Sequence, residues 1–348
     1  MVDPELPRRR GRRPGRGGRP MRPAIIPVFA FVLALALPGV GAAGEAEPDT
    51  LSLRSMTPEE LFIRASSAEL QYRGLLEPAR RLLVRRQEES IPYLVTQLDT
   101  DQPRERIALE NLFVRIGEDA VPALIEALEE EALRDDTTRG ARLAAYVLAR
   151  IGDEAAVRPL IDQSGHGQWK MRSSVADALG HLGGPRAADA LVGLLQDDDD
   201  SVRKAAAAGL DRIARDGPDV VRRHAEDALL EALDDEFYGV RFAASDALGR
   251  LGDELVPQLS RLAAEGAGRT RLLAVRSLGR IGGRDALREI APYLDDESWT
   301  VRAHAAEAVG ASGAMTRAAR RRLEELAAGD THPLVVAKAG AALEKSED

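Results

Sequence analysis

The chain contains no cysteine. Disulfides, thiolate metal sites, cysteine nucleophiles and a lipidated N-terminal cysteine are therefore excluded. Aromatic residues make up only 4% of the 348 positions, which disfavours sheets, whose strands draw on β-branched and aromatic side chains. Histidine is rarer still: His166, His181, His224, His304 and His332. No two of them stand four apart, as on the face of a helical metal site, so no metal role is expected. There is no Gly-rich phosphate loop, nucleophile elbow or Ser/His/Asp constellation. The four aspartates at 197–200 lack the alternating ligands, turn glycine and terminal glutamate of a calcium loop, and read as helix capping. The expectation is a protein without catalytic residues or cofactors.

Charge is unevenly placed. Residues 1–43 hold eight of the 48 Lys and Arg but only two of the 57 Asp and Glu. The remainder carries 40 basic and 55 acidic side chains, a formal charge of −15. An acidic body disfavours nonspecific nucleic-acid binding, which works by neutralising phosphates, and no nucleic-acid partner is expected.

The first 43 residues read as an address. Arg-rich residues 8–19 precede Met21-Arg22, an unbroken apolar run at 28–37, the breaker Pro38 and the small residues Gly39, Gly41, Ala42, Ala43 and Gly44. A positive start, a short apolar centre and a small-residue exit form a secretory signal peptide. The apolar run is short for a membrane span, so no span is expected after cleavage; an uncleaved N-terminal anchor is the alternative. Met21 supplies a conventional signal by itself, so the true start is either Met1 or Met21. Residues 44–56 read as a flexible lead-in, and the expected location is periplasmic or secreted.

What the sequence has in abundance is repetition. The string RFAASDALGRLG (241–252) recurs with anchors at Leu76, Arg106, Ala141, Arg172, Arg203, Arg241, Arg271, Arg302 and Val336, spaced 30 to 38 residues apart. Three residues after each anchor the side chain is apolar, and in seven of nine cases it is Ala. Seven residues after, it is apolar again, from Leu83 and Phe113 to Val309 and Leu343. These spacings lie on one helical face, and Ala there lets a neighbouring helix approach closely. Gly117, Gly152, Gly183, Gly252, Gly282 and Gly313 follow eleven residues after their anchors, where a left-handed C-terminal cap is expected. Second helices follow, as in AVPALIEAL (120–128) and LVPQLSRL (255–262), with Pro122 and Pro257 in the first turn. Aspartate-rich joints then lead into the next hairpin, where Asp is expected to cap helix starts.

Strings such as VRFAASDALGRLG (240–252) and VRAHAAEAV (301–309) resemble HEAT repeats of the short, phycobilisome-lyase-like type. The resemblance covers roughly residues 74–348. It implies an all-α fold, an α-solenoid (superhelix) of about nine antiparallel helical hairpins. Residues 57–72 read as an N-terminal capping helix, so the solenoid is expected over 57–348, and the last repeat is expected to have only its first helix. Leu76, Ala141 and Val336 depart from the anchor Arg, and the repeats at Arg106 and Arg203 carry extra residues. The resemblance implies a protein-interaction scaffold, expected as a monomer whose partners are other proteins. It also offers a bilin lyase or isomerase, which export disfavours because bilin attachment is cytoplasmic, and a DNA glycosylase, which the acidic body disfavours.

Three sets of residues are candidates for a role. Arg106, Arg172, Arg203, Arg241, Arg271 and Arg302 form a ladder; with Asp235 and Asp296 six residues before Arg241 and Arg302, ion pairs to neighbouring joints are expected to pin repeat to repeat. Trp169, Tyr238 and Trp299 each stand three residues before an anchor, so they line one edge as a partner-binding row, or pack over adjacent helix starts. Arg317, Arg320, Arg321 and Arg322 are the densest basic cluster after residue 43. Second helices in such solenoids usually line the concave face, so Arg317, Arg320 and Arg321 are expected to steer an acidic partner into a groove, opposite an early acidic run of Glu126, Glu129, Glu130 and Glu131. The alternative is a solvated face neutralised by Glu324 and Glu325. The signal reading predicts that N-terminal sequencing of the exported protein starts between Ala43 and Glu47; an intact Met1 or Met21 terminus in the soluble fraction would exclude it.

Overall fold

The computed structural model describes residues 52–132, 139–266, 268–312 and 315–345. The expected signal segment (1–43), most of the lead-in and the cap at Gly313 lie outside the described residues. Among the described residues every regular element is helical, with eighteen α-helices joined by short turns or 3-10 segments.

The chain alternates between two rows of helices because each hairpin has apolar stripes on both members. α1 (Pro58–Ser66) opens on a reciprocal cap: Thr57 Oγ1 accepts the Glu60 N–H at 3.2 Å, and the Glu60 carboxylate accepts the Thr57 N–H at 2.9 Å. Hairpins follow. α2 (Leu76–Arg85) pairs with α3 (Gln87–Thr96), α4 (Pro103–Ile116) with α5 (Val121–Ala132), α6 (Arg139–Ile151) with α7 (Val157–Asp162), and α8 (Trp169–Leu182) with α9 (Gly184–Leu194). Then α10 (Asp200–Asp216) pairs with α11 (Asp219–Glu231), α12 (Tyr238–Leu251) with α13 (Val256–Glu265), α14 (Arg269–Ile281) with α15 (Gly283–Ile290), and α16 (Trp299–Ala311) with α17 (Arg317–Gly329). α18 (Pro333–Glu344) packs on α16 and α17. First helices contact first helices without a break from α2 to α18, and second helices pack on second helices, as α3 on α5 and α9 on α11. This is an all-α solenoid.

The core sits between the two rows. All nine side chains three residues after an anchor are fully buried, from Ala79 to Ala339. Seven residues after, Leu83, Phe113, Leu148, Leu179, Leu210, Leu248, Leu278 and Val309 are buried, while Leu343 is half-buried near the end of α18. Glycine decides how closely the first helices approach. A Cβ at Gly180 of α8 would lie 2.4 Å from the Gly209 Cα of α10, and one at Gly310 of α16 would lie 2.4 Å from the Ala342 Cβ of α18.

Two sequence expectations are revised. The cap glycines do adopt positive φ, but Gly117 (φ 78°, ψ −139°) and Gly282 (φ 71°, ψ −156°) lie outside the left-handed helical well. They occupy a region essentially confined to glycine, because the chain must enter the second helix at once. The joint aspartates are mostly not helix caps either. Asp199 is, accepting the Ser201 N–H at 2.8 Å. Asp235, Asp296 and Asp330 instead accept the N–H two residues on, from Phe237, Ser298 and His332, at 2.7 to 2.8 Å. They thereby build the turn before the helix.

Opposite outcomes are expected at two glycines. Gly180→Ala should cost about 1–2 kcal/mol, because overpacking against backbone exceeds the gain in helix propensity. Gly193→Ala, where nothing lies within 4 Å of the added Cβ, should stabilise α9 by about 0.5–1 kcal/mol. Urea denaturation followed by circular dichroism reads both; two shifts of the same sign would contradict the close approach of α8 and α10.

Candidate interaction surface

The joints between hairpins converge on one edge, and the anchor arginines organise it. Each described anchor Arg except Arg106 lies in the first turn of its helix and folds back on its own joint. Arg203 Nη1 donates to the Asp197 and Asp198 carbonyls at 2.9 and 3.2 Å, and Arg302 Nη1 to those of Asp296 and Glu297 at 2.8 and 3.0 Å. The rest of the guanidinium reaches forward to the next joint. Arg172 grips Asp197 through Nε and Nη2 at 2.6 and 2.7 Å, Arg203 grips Asp235 at 2.8 and 3.1 Å, and Arg302 grips Asp330 at 2.8 and 2.9 Å. Arg271 uses Nε for the Gly266 carbonyl and Nη1 for Asp296, both at 3.1 Å.

Such two-pronged, charge-assisted pairs are the strong ones. Arg203 is 8% exposed and Asp235 11%. The hydrogen bond from Arg302 holds the Asp330 carboxyl below its ordinary range, against desolvation. At Asp197 desolvation pushes upward, but bonds from Arg172 and the Asp199 N–H outweigh it and the pKa falls. The forks to Asp235 and Asp197 likewise raise Arg203 and Arg172 above the usual guanidinium value.

Two anchors depart from this pattern. Arg106 is exposed on α4, and the joint that follows its hairpin (133–138) lies outside the described residues. Arg241 holds its own joint, donating to the Asp235 and Glu236 carbonyls at 2.6 and 2.7 Å, but grips no carboxylate, and its Nε is buried without a hydrogen-bond partner. The expected ion pair fails there because the next joint reads Glu265, Gly266, Ala267, Gly268, with Glu265 still inside α13 and exposed.

The aromatic row opens three helices. Trp169, Tyr238 and Trp299 are the first residues of α8, α12 and α16 and are 42%, 60% and 40% exposed. Trp299 stacks on His332 with centroids 3.7 Å apart and planes 6° from parallel. Lys170 lies over Trp169 at 5.7 Å, Arg241 is 5.9 Å from the Tyr238 ring, and Phe237 adds a fourth exposed ring. Phe237 also lines an open cleft of about 500 Å³ between α8 and α10, together with Ser173, Ser174, Ala205 and Ala208.

The basic cluster on α17 is partly neutralised. Arg322 pairs with Asp295 at 2.6 Å and Glu325 at 2.8 Å, and Arg321 pairs with Glu325 at 3.4 Å. Arg320 is half-buried, and Arg317 is exposed at the start of the helix. In the acidic counterpart, Glu126, Glu129 and Glu130 are all exposed on α5.

A second ladder escaped the sequence reading. Arginines nine residues after an anchor reach back to an acid on the preceding first helix: Arg115 to Glu77 at 3.2 Å, Arg212 to Asp177 at 3.0 Å, Arg250 to Asp211 at 2.8 Å and Arg280 to Asp246 at 3.3 Å, with Arg150 on Glu110. The signal was the recurring ending Arg-Ile-Gly or Arg-Leu-Gly before the caps. Most members are well exposed, so each pair is worth at most about 1 kcal/mol.

The family profile for HEAT repeats matches residues 121–211 and 257–344, just over half of the chain. This chain belongs to the HEAT-repeat family. A HEAT repeat-containing taxis protein of Halobacterium salinarum is 31% identical over 170 residues, 47% of this chain, and the match spans only 36% of that protein. Among solved structures, Kap121p bound to Ste12p has a TM-score of 0.55 at 13% identity, covering 84% of this chain and 37% of that one. Importin beta gives 0.52 at 14% identity, over 83% and 45%. These two share the fold. The complex of CpcE and CpcF of phycocyanin lyase from Nostoc sp. PCC7120 is 26% identical with a TM-score of 0.40, over 45% of this chain and 97% of that one.

Among the described HEAT repeats no group of three metal-ligating side chains occurs, and no helix is long and apolar enough to cross a membrane. The ladder geometry makes a graded prediction. Arg203→Ala strands a largely buried Asp235 and should cost about 2–4 kcal/mol. Arg241→Ala loses only bonds to carbonyls and should cost about 1 kcal/mol. Thermal melts monitored by circular dichroism compare them; equal losses would mean that the forward carboxylate contributes nothing.

Proposed function

We propose that this HEAT-repeat chain is an exported protein-interaction scaffold that works without chemistry of its own. The observation that carries the reading is the joint edge. Trp169, Tyr238 and Trp299 are all 40% or more exposed at matching places on one repeating surface, and Phe237 adds an exposed ring beside Tyr238. Large aromatic side chains held on rigid elements are the usual anchors of protein interfaces, and a solenoid supplies an extended surface on which to array them. The archaeal relative, named as a taxis protein, supports action through binding rather than catalysis. Export rests on the basic start, the apolar run at 28–37 and the small residues after Pro38.

The edge is favoured over the groove that the arginine cluster suggested, because Glu325 and Asp295 already take up Arg321 and Arg322. A partner recovered from periplasm on the immobilised chain separates the two by surface plasmon resonance at two salt concentrations. The Trp169→Ala/Trp299→Ala variant should weaken binding about tenfold or more, as loss of interface anchors does. Arg317→Glu/Arg321→Glu should change mainly the association rate and its salt dependence. The reverse ranking would move the site to α17, and failure to recover any specific partner would sink the scaffold reading.

A further inference from the structure

The C-terminal joint shows what a ladder arginine and its aromatic neighbour accept. Asp330, six residues before the last anchor, takes the Nε and Nη2 of Arg302, and His332, two residues further on, stacks flat on Trp299. One short turn, Asp330-Thr331-His332, therefore covers both members of the pair. Its shape is fixed by the Asp330 side chain, which also accepts the His332 N–H at 2.8 Å.

Arg241 and Tyr238 are the same pair two repeats earlier, and no such turn among the described residues covers them. Position six before the next anchor is Glu265, exposed at the end of α13, and position four is Ala267, which has no ring to stack. The consequences are visible together. Arg241 has no carboxylate, its Nε has no hydrogen-bond partner, and Tyr238 is the most exposed member of the aromatic row at 60%. The guanidinium is nevertheless held in place, with Nη1 on the carbonyls of Asp235 and Glu236. Nearby, Ser245 and Ser277 are buried and share a hydrogen bond of 3.0 Å between α12 and α14, and Arg276 stacks 3.7 Å from the Phe242 ring while pairing with Asp246 at 2.5 Å. The helices therefore stay locked where the ladder lacks its forward rung.

We propose that Tyr238 and Arg241 form a docking site for a short turn of a partner protein that carries an aspartate followed, two residues later, by a flat ring. The partner carboxylate takes Nη2 of Arg241, which carries no hydrogen bond, since Nε is buried and only Nη1 is used by the joint carbonyls. The ring lies on the face of Tyr238 away from Phe242, whose ring stands 5.0 Å from it. Glu236, 87% exposed beside the site, and Glu265 repel a dense acidic tract, so the site selects a single carboxylate with a ring. The proposal rests on the scaffold reading and narrows it to one joint.

The test uses a fluorescein-labelled peptide, Gly-Asp-Thr-His-Pro-Leu, which reproduces residues 329–334, titrated against the full chain by fluorescence anisotropy up to millimolar concentration. Saturable binding is expected, weakened about tenfold or more by Tyr238→Ala, by Arg241→Gln and by replacing the peptide aspartate with asparagine. Tyr238 is exposed, so its variant keeps the fold, and circular dichroism confirms this for both. Val220→Ala, 73% exposed on α11, should leave peptide binding unchanged. Absence of binding, or binding indifferent to Tyr238 and Arg241, overturns the site. A recovered partner that depends on Trp169 and Trp299 but not on Tyr238 and Arg241 overturns this site alone and leaves the scaffold standing.

Discussion

A hairpin of about thirty residues has apolar stripes it cannot cover alone, and the whole architecture follows from that shortfall. Each first helix must find another first helix on either side. The close approach this demands is met by small side chains: Ala at nearly every position three after the anchor, and glycine where backbones almost touch, as at Gly180 and Gly209. Stacking by apolar contact is directionally weak, since one Leu-lined face fits another in several registers. The guanidinium forks remove that freedom. An Arg tied to two carbonyls of its own joint and to one carboxylate of the next can be satisfied at only one offset between repeats.

The features legible in the sequence were those set by periodicity. The buried stripe from Ala79 to Ala339, the positive-φ glycines after α4, α6, α8, α12 and α14 and the prolines at the start of α5 and α13 all follow from local rules that hold whatever the neighbours do. The roles of the joint aspartates did not follow. Asp235 and Asp296 look like caps because they precede helices, yet they close a turn on one side and receive an arginine from the preceding repeat on the other. That second partner lies 25 to 32 residues away, beyond any local rule. The backward ladder through Arg212, Arg250 and Arg280 was hidden for the same reason: its spacing was visible, but the facing acids are on another helix.

The candidate surface was legible in composition and illegible in occupancy. Trp169, Tyr238 and Trp299 stood out by position, but not by neighbours: Trp299 carries a stacked imidazole from the following joint, and Tyr238 a tilted Phe242 ring from its own helix. The arginines of α17 stood out by density, and charge counting alone did not reveal that Asp295, from the end of the preceding hairpin, reaches Arg322. In both places one residue from an adjoining segment decides whether a conspicuous side chain is available to a partner.

The forks also have a polarity. Every carboxylate grip of an anchor arginine runs forward to the joint that ends its own hairpin, whereas the second ladder runs back to the preceding first helix. A stretch cut from one anchor to the next is thus a self-contained tile. Duplicating or deleting such a tile keeps each gripped anchor, Arg172, Arg203, Arg271 and Arg302, with its own carboxylate, and the array can change length without a new interface having to be invented. The joint at 265–268 is where two tiles meet without that seal.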